Sequence, residues 1–152
     1  MAGGSLSFMS PGLPSEPAPP LEGVRVLLAE DTPYVRQALT DILESAGAAV
    51  TAVGSAEAAL AALQAERPDV LLSDLSMPGN GGYWLIGQVR ALPRERGGAT
   101  PAAAVTAHTG PEYRASVLKA GFQYHVEKPC GIRELVRIVA ALALNEEARW
   151  AT

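Results

Sequence analysis

Five side chains of this sequence, far apart in order, have the types that phosphoryl and metal chemistry need. Glu30 and Asp31 follow the apolar run Val24-Arg25-Val26-Leu27-Leu28-Ala29. Asp74 ends Val70-Leu71-Leu72-Ser73-Asp74, just before Met77-Pro78, and Lys128-Pro129 follows Tyr124-His125-Val126-Glu127. Carboxylates in close array repel unless a cation intervenes. Mg²⁺ is a hard ion that prefers oxygen and keeps several waters, so two carboxylates and a carbonyl make a half-shell open to phosphate oxygens. Lys128 supplies a point positive charge against such oxygens, and Thr106 offers a hydroxyl donor. A carboxylate is itself a nucleophile toward phosphorus, giving an aspartyl phosphate. Metal and lysine then neutralise charge on the transferring group.

Each residue taken alone has an ordinary structural role. An acid after a strand often caps the next helix, and an Asp before Met-Pro is commonly a turn residue. A threonine ending a strand is usually a satisfied hydroxyl, and a lone lysine a solvated charge. Joint occurrence at four strand ends favours the chemical reading.

The elements that must position these residues alternate regularly. Val24–Ala29 is a continuous apolar run broken only by Arg25, the pattern of a strand covered on both faces. Thr32-Pro33 has the form of an N-cap with Pro at the first helical position. Val35, Leu39, Ile42, Leu43 and Ala46 then form one helical stripe, closed by Gly47. Ala49–Val53 is a second strand, and Ser55 caps a helix reaching about Glu66. Asp69–Asp74 is the third strand, and Gly82 to about Leu92 the third helix. Pro101–Thr106 and Tyr124–Glu127 are further strands, each followed by a helix, Pro111–Ala120 and Ile132–Leu144. Five strand–helix repeats with short connections imply one α/β domain with a parallel sheet and helices on both faces. For this size the flavodoxin-like strand order 2-1-3-4-5 is favoured, making a three-layer sandwich. Strands one and three are then adjacent, and their carboxyl ends bring Asp31 and Asp74 to one mouth.

Bulk composition narrows the class. The 152 residues suffice for one domain, expected over 22–145, with a Pro/Gly/Ser-rich leader over 1–21 and a short tail over 146–152. A formal charge of -4 without basic runs argues against direct nucleic-acid binding. No apolar run approaches the roughly 20 residues needed to span a bilayer, and no secretory signal is evident. Cys130 is the only cysteine, in keeping with a cytoplasmic location. It reads as a packing residue near the site. Tyr83 and Trp84 read as core and flank.

Residues 23 to 144 resemble the receiver domain of two-component response regulators. The matching signatures are Leu27-Leu28-Ala29-Glu30-Asp31, Leu72-Ser73-Asp74-Leu75-Ser76-Met77-Pro78, Ala104-Val105-Thr106-Ala107, and Gly121 with Val126-Glu127-Lys128-Pro129. Four motifs in this order and separation are specific where any one is weak. The resemblance implies that Asp74 is the phosphoacceptor, with Asp31 a direct Mg²⁺ ligand, Glu30 acting through metal-bound water, and the Ser76 carbonyl completing the shell. It implies that Thr106 and Lys128 contact the phosphoryl oxygens, and that the Lys128-Pro129 peptide is cis. A sensor histidine kinase or histidine phosphotransfer protein would donate the phosphoryl group. A downstream effector, or a domain absent from this chain, would read it. Homodimerisation through the fourth helix, fifth strand and fifth helix stays open.

The chain departs from the family pattern in two places, and a further position bears on phosphate lifetime. His125 stands where the family usually has Tyr or Phe, similar to receivers attached to hybrid sensor kinases; a lone histidine at a strand edge is ordinarily just an exposed polar ring. Asn80 replaces a hydrophobic residue, and Gly79-Asn80-Gly81-Gly82 matches neither the dinucleotide nor the P-loop spacing, so it reads as a turn. His108, two residues past Thr106, is expected to tune phosphate lifetime by blocking or orienting water, against the plain reading of a surface-loop histidine. Two other functional classes compete. One is a receiver-like interaction module that takes no phosphate, against which the complete residue set weighs. The other is an Asp-nucleophile phosphatase, which usually carries an acid/base Asp two residues on, where this chain has Ser76.

Overall fold

The computed structural model describes residues 19–144; the expected leader residues before 19, the tail at 146–152 and Trp150 lie outside the described residues. Five strands form one sheet: β1 (Arg25–Ala29), β2 (Ala49–Val53), β3 (Val70–Ser73), β4 (Ala102–Thr106) and β5 (Tyr124–Glu127). Between and after them run α1 (Pro33–Ser45), α2 (Ala56–Glu66), α3 (Gly82–Arg90), α4 (Pro111–Ala120) and α5 (Ile132–Leu144). The strand order is β2-β1-β3-β4-β5 and every pairing is parallel, as the alternation predicts.

Strand side chains point alternately to the two faces, and the core divides accordingly. Leu27, Leu71, Ala102 and Ala104 pack with Leu63 of α2, Leu85, Ile86 and Val89 of α3, and Val117 of α4. Val26, Leu28, Leu72, Val105 and Val126 face the other way, against Leu39 and Leu43 of α1 and Leu135, Val139 and Leu142 of α5. β3 is buried along its whole length, as an unbroken apolar run requires.

Local chemistry explains most boundaries. Ser55 caps α2, its Oγ accepting from Ala58 N–H at 3.1 Å. Gly47 and Gly121 follow α1 and α4 with φ of +106° and +126°, values that favour glycine. Thr32 differs from expectation. It precedes Pro33 but its side chain makes no capping bond; its own N–H donates to Glu30 Oε2 at 3.2 Å. Leu21 is fully buried and its N–H donates to Ala46 O at 2.8 Å, so packing begins inside the stretch expected as leader.

A one-turn 3₁₀ helix at Arg94–Arg96 was not expected from the sequence. Beside it, Arg90 donates to Gly98 O, Thr100 O, Gly121 O and Gln123 Oε1 at 2.7–3.3 Å. Burial pulls its guanidinium down to about 10, still charged at neutral pH. This arginine ties the end of α4 to the start of β4. Among the described residues no helix is long and apolar enough to cross a membrane.

Candidate functional site

Parallel register delivers the acidic residues to one edge. Glu30 N–H donates to Val53 O (3.0 Å), Asp74 N–H to Ala29 O (2.9 Å) and Lys128 N–H to Thr106 O (2.8 Å). Glu30, Asp74 and Lys128 thus each leave from a backbone already held to a neighbouring strand. Carboxylate oxygens of Glu30, Asp31 and Asp74 all lie within 4.8 Å of one another. Glu30 is 1 % exposed and Asp74 9 %, so two of the three charges sit below the surface.

Lys128 answers them. Its Nζ lies 2.7 Å from Glu30 Oε1 and 3.4 Å from Asp74 Oδ2. Burial alone would lower its pKa, but the hydrogen bond to Glu30 and the charges of Asp74 and Glu30 outweigh that and raise it. One ammonium therefore faces three carboxylates, and Asp31 is not among its direct partners. The donor set is hard oxygen throughout, which suits Mg²⁺ and not a soft transition metal.

The loop after β3 folds tightly over this edge. Ser76 N–H donates to Asp74 Oδ1 at 3.3 Å, and Gly82 N–H to Leu75 O at 3.0 Å. A Cβ on Gly81 would stand 2.4 Å from Leu75 O, and one on Gly82 2.4 Å from Asp74 O. Glycine at both positions therefore lets the chain pass over the Asp74 backbone, a reason the turn reading alone did not supply. Asn80 Nδ2 donates to Glu57 Oε2 at 2.6 Å, tethering the loop to α2.

Thr106 is buried at the end of β4, where its Oγ1 accepts from His108 N–H at 3.1 Å. His108 is exposed yet engaged: Nε2 is 3.3 Å from Ser76 Oγ, and the ring stacks on Tyr113 with centroids 4.9 Å apart and planes 13° from parallel. His125 is half-buried, not the exposed ring expected, and its Nε2 lies 3.1 Å from His108 O. The Lys128–Pro129 peptide is cis, as the resemblance implies. Cys130 is half-buried, and its thiol is pushed up by burial and by Glu134.

Two participants escaped the sequence reading. Arg36, on the first turn of α1, donates through Nη1 to Glu30 O (2.8 Å) and Asp31 O (3.4 Å), fixing the backbone of the acidic pair. Tyr113 carries the stacking contact to His108. Nothing in their spacing marks either, because both act through geometry that only the folded chain creates.

Comparison with known proteins agrees with this geometry. The response regulator receiver domain profile matches residues 26–140. An uncharacterized 14.6 kDa protein in the sodA1 3' region of Leptolyngbya boryana is 40% identical over 119 residues, covering 78% of this chain and 89% of the relative. Sensor protein GacS of Pseudomonas syringae is 35% identical over 136 residues; that match covers 86% of this chain but 15% of the sensor. Among solved structures, the receiver domain of the sensor histidine kinase PA1611 from Pseudomonas aeruginosa has a TM-score of 0.73 at 31% identity, covering 80% of this chain and 98% of that one. That structure holds a magnesium ion coordinated in its active-site cleft. The sheet order, the family match and these relatives together make this chain a member of the response regulator receiver domain family of two-component systems.

Proposed function

We propose that this chain is a phosphorylation-controlled switch in a two-component phosphorelay, with Asp74 as phosphoacceptor. The observation that carries the reading is the convergence of Glu30, Asp31 and Asp74 within 4.8 Å on a lysine at 2.7 and 3.4 Å. The donor is a phosphohistidine of a sensor histidine kinase or histidine phosphotransfer protein in the cytoplasm. An Asp74 carboxylate oxygen bonds to phosphorus, the phosphorus–nitrogen bond breaks, and the electron pair stays on the donor imidazole, which is then protonated.

Asp31, Asp74 and the Ser76 carbonyl are the residues suited to hold Mg²⁺, with Glu30 acting through water. When bound, the ion lowers the mutual repulsion of the carboxylates and of the incoming phosphoryl oxygens. Lys128 stays protonated and offers its remaining donor capacity to a phosphoryl oxygen. The Thr106 hydroxyl, whose oxygen already accepts from His108 N–H, still has its proton free to donate to another. Glu30 holds the lysine in place, and Ser76 N–H orients the Asp74 carboxylate before attack. The phosphorylated surface is then read by an effector or by a further domain.

Incubation of the full chain with Mg²⁺ and acetyl phosphate, followed by intact mass measurement, tests this. One added phosphoryl group, absent in Asp74→Asn and absent with chelator, is the expected result. No adduct would favour an interaction module that takes no phosphate. Turnover of acetyl phosphate without accumulation would favour a phosphatase.

A further inference from the structure

Asn80 stands where a hydrophobic residue is usual, and phosphoryl transfer as described makes no use of it. Its loop runs between β3 and α3. Leu75 and Met77 are buried and sink the first half of that loop into the core. Pro78 and Gly79 are exposed, so packing does little to hold the second half. There the half-buried Asn80 reaches out: its Nδ2 donates to Glu57 Oε2 at 2.6 Å, in the first turn of α2. The acceptor is a carboxylate, which makes this the stronger, charge-assisted kind of bond. The start of α2 is itself joined to the acidic pair. Glu30 N–H donates to Val53 O at the end of β2. Arg36 Nη1 donates to Glu30 O and Asp31 O, and a Cβ on Gly54 would stand 2.9 Å from that same nitrogen. Residues 53–57 and the Glu30–Asp31 pair thus form one connected block, and Asn80 ties the loop after β3 to it.

We propose that the Asn80–Glu57 hydrogen bond is a positioning device for the metal site, setting the loop that offers the Ser76 carbonyl against the block that carries Glu30 and Asp31. This role rests on the reading of Asp31, Asp74 and Ser76 as Mg²⁺ ligands. Mg²⁺ demands near-octahedral geometry at short distances, so a misplaced ligand costs it affinity. Asp31 and Asp74 leave from the ends of β1 and β3, whereas a loop carbonyl is only as well placed as its loop. Without the bond the loop samples arrangements in which the carbonyl is out of place, and the apparent affinity falls by the fraction of time spent there. Asn80 and Glu57 are positioning residues: neither belongs to the ligand set, and both act through the loop backbone.

The test is an Mg²⁺ titration of the isotope-labelled full chain followed by NMR, with no phosphodonor present. In the wild type the Asp31, Asp74 and Ser76 amides should shift saturably and give a dissociation constant. Asn80→Ala and Glu57→Ala should each weaken binding by about fivefold, the worth of one such bond. The double variant should be no weaker than either single one, because both remove the same interaction. Glu57→Gln loses the charge but keeps an acceptor oxygen and should bind as the wild type does, a rescue that a purely electrostatic role would not give. Backbone relaxation of the two alanine variants should show added motion confined to residues 76–81, with the urea midpoint unchanged. The tether is refuted if Asn80→Ala binds Mg²⁺ as tightly as the wild type, or if the two alanine effects add in the double variant. It is equally refuted if Glu57→Gln weakens binding as much as Glu57→Ala. Wild-type Asp31 and Asp74 amides that ignore Mg²⁺ would instead remove the metal-ligand reading, and the tether with it.

Discussion

Replacing Asp31 with Asn should make the metal-free protein more stable, and by more than the same change at Asp74. Two unit charges within 4.8 Å of each other repel by about 3.5 kcal/mol or more at an effective dielectric constant of about 20. Asp31 faces two such neighbours and has no direct bond to the lysine. It is half-buried, so water screens it, and about 2 kcal/mol of net relief is expected on neutralising it. Asp74 faces the same two neighbours but lies 3.4 Å from Lys128 Nζ, an attraction of about 5 kcal/mol on the same scale. Set against about 7 kcal/mol of repulsion from the two neighbours, this leaves about 2, and with the same discount for water as at Asp31 the gain for Asp74→Asn should be less than about 1 kcal/mol.

Urea unfolding followed by circular dichroism, at neutral pH and low salt with chelator present, reads this directly. With a slope of about 2 kcal/mol per molar urea, Asp31→Asn should move the midpoint up by about 1 M. Added salt should shrink the difference, since exposed charge interactions are screened. Mg²⁺ should then reverse the order. At a hundredfold excess over its dissociation constant it stabilises the wild type by about 2.7 kcal/mol, whereas Asp31→Asn, lacking one ligand, should gain little. A midpoint for Asp31→Asn at or below wild type in chelator, or equal Mg²⁺ stabilisation of both, would refute the electrostatic account of the site.

Other outcomes follow from the same contacts. Lys128→Met should abolish the acetyl phosphate adduct and cost about 2–3 kcal/mol in urea unfolding, because Glu30, 1 % exposed, keeps a buried charge without its partner. The raised pKa of Lys128 means that its stabilisation is complete below the ordinary lysine value of 10.5 and is lost as pH rises through the higher folded value. Alkaline titration of stability should therefore show a drop in wild type that Lys128→Met lacks. Arg90→Leu leaves the carbonyls of Gly98, Thr100 and Gly121 without their donor and should cost about 3 kcal/mol with phosphorylation intact. His108→Ala should shorten the lifetime of the phosphorylated form severalfold, measured by loss of the mass adduct; an unchanged half-life would show that the ring does not restrain water.

Period and punctuation made the sheet legible before any coordinate. Apolar runs at Val26–Ala29 and Val70–Ser73, each followed by an amphipathic helix, leave parallel pairing as the solution, and adjacency of β1 and β3 brings Asp31 to Asp74. Contacts that depend on three-dimensional closure were not legible. Leu21 sits in a Pro-rich stretch whose composition signals a leader, yet it is buried against α1 because its N–H reaches Ala46 O. Thr32 has the residue type of a cap, but the Glu30 carboxylate takes the backbone amide that the helix start presents. His125 has the composition of an exposed strand edge, and only the fold brings the His108 carbonyl to its ring. Arg90 lies in an amphipathic helix as an ordinary polar residue; its role arises from the close approach of Gly121, Gly98 and Thr100.

One asymmetry in the site bears on why a receiver is a switch and not merely a phosphate store. Lys128 is nearer to Glu30, at 2.7 Å, than to Asp74, at 3.4 Å. A lysine held chiefly by the phosphoacceptor would lose its anchor whenever charge moved outward onto a phosphoryl group. Held instead by the buried Glu30, it keeps its closer anchor whatever charge Asp74 carries. Among the described residues the Thr106 hydroxyl has no such second anchor: its oxygen accepts from one backbone amide in an exposed loop. On the phosphoacceptor reading, charge arriving at Asp74 therefore spares the closer of the two anchors of Lys128.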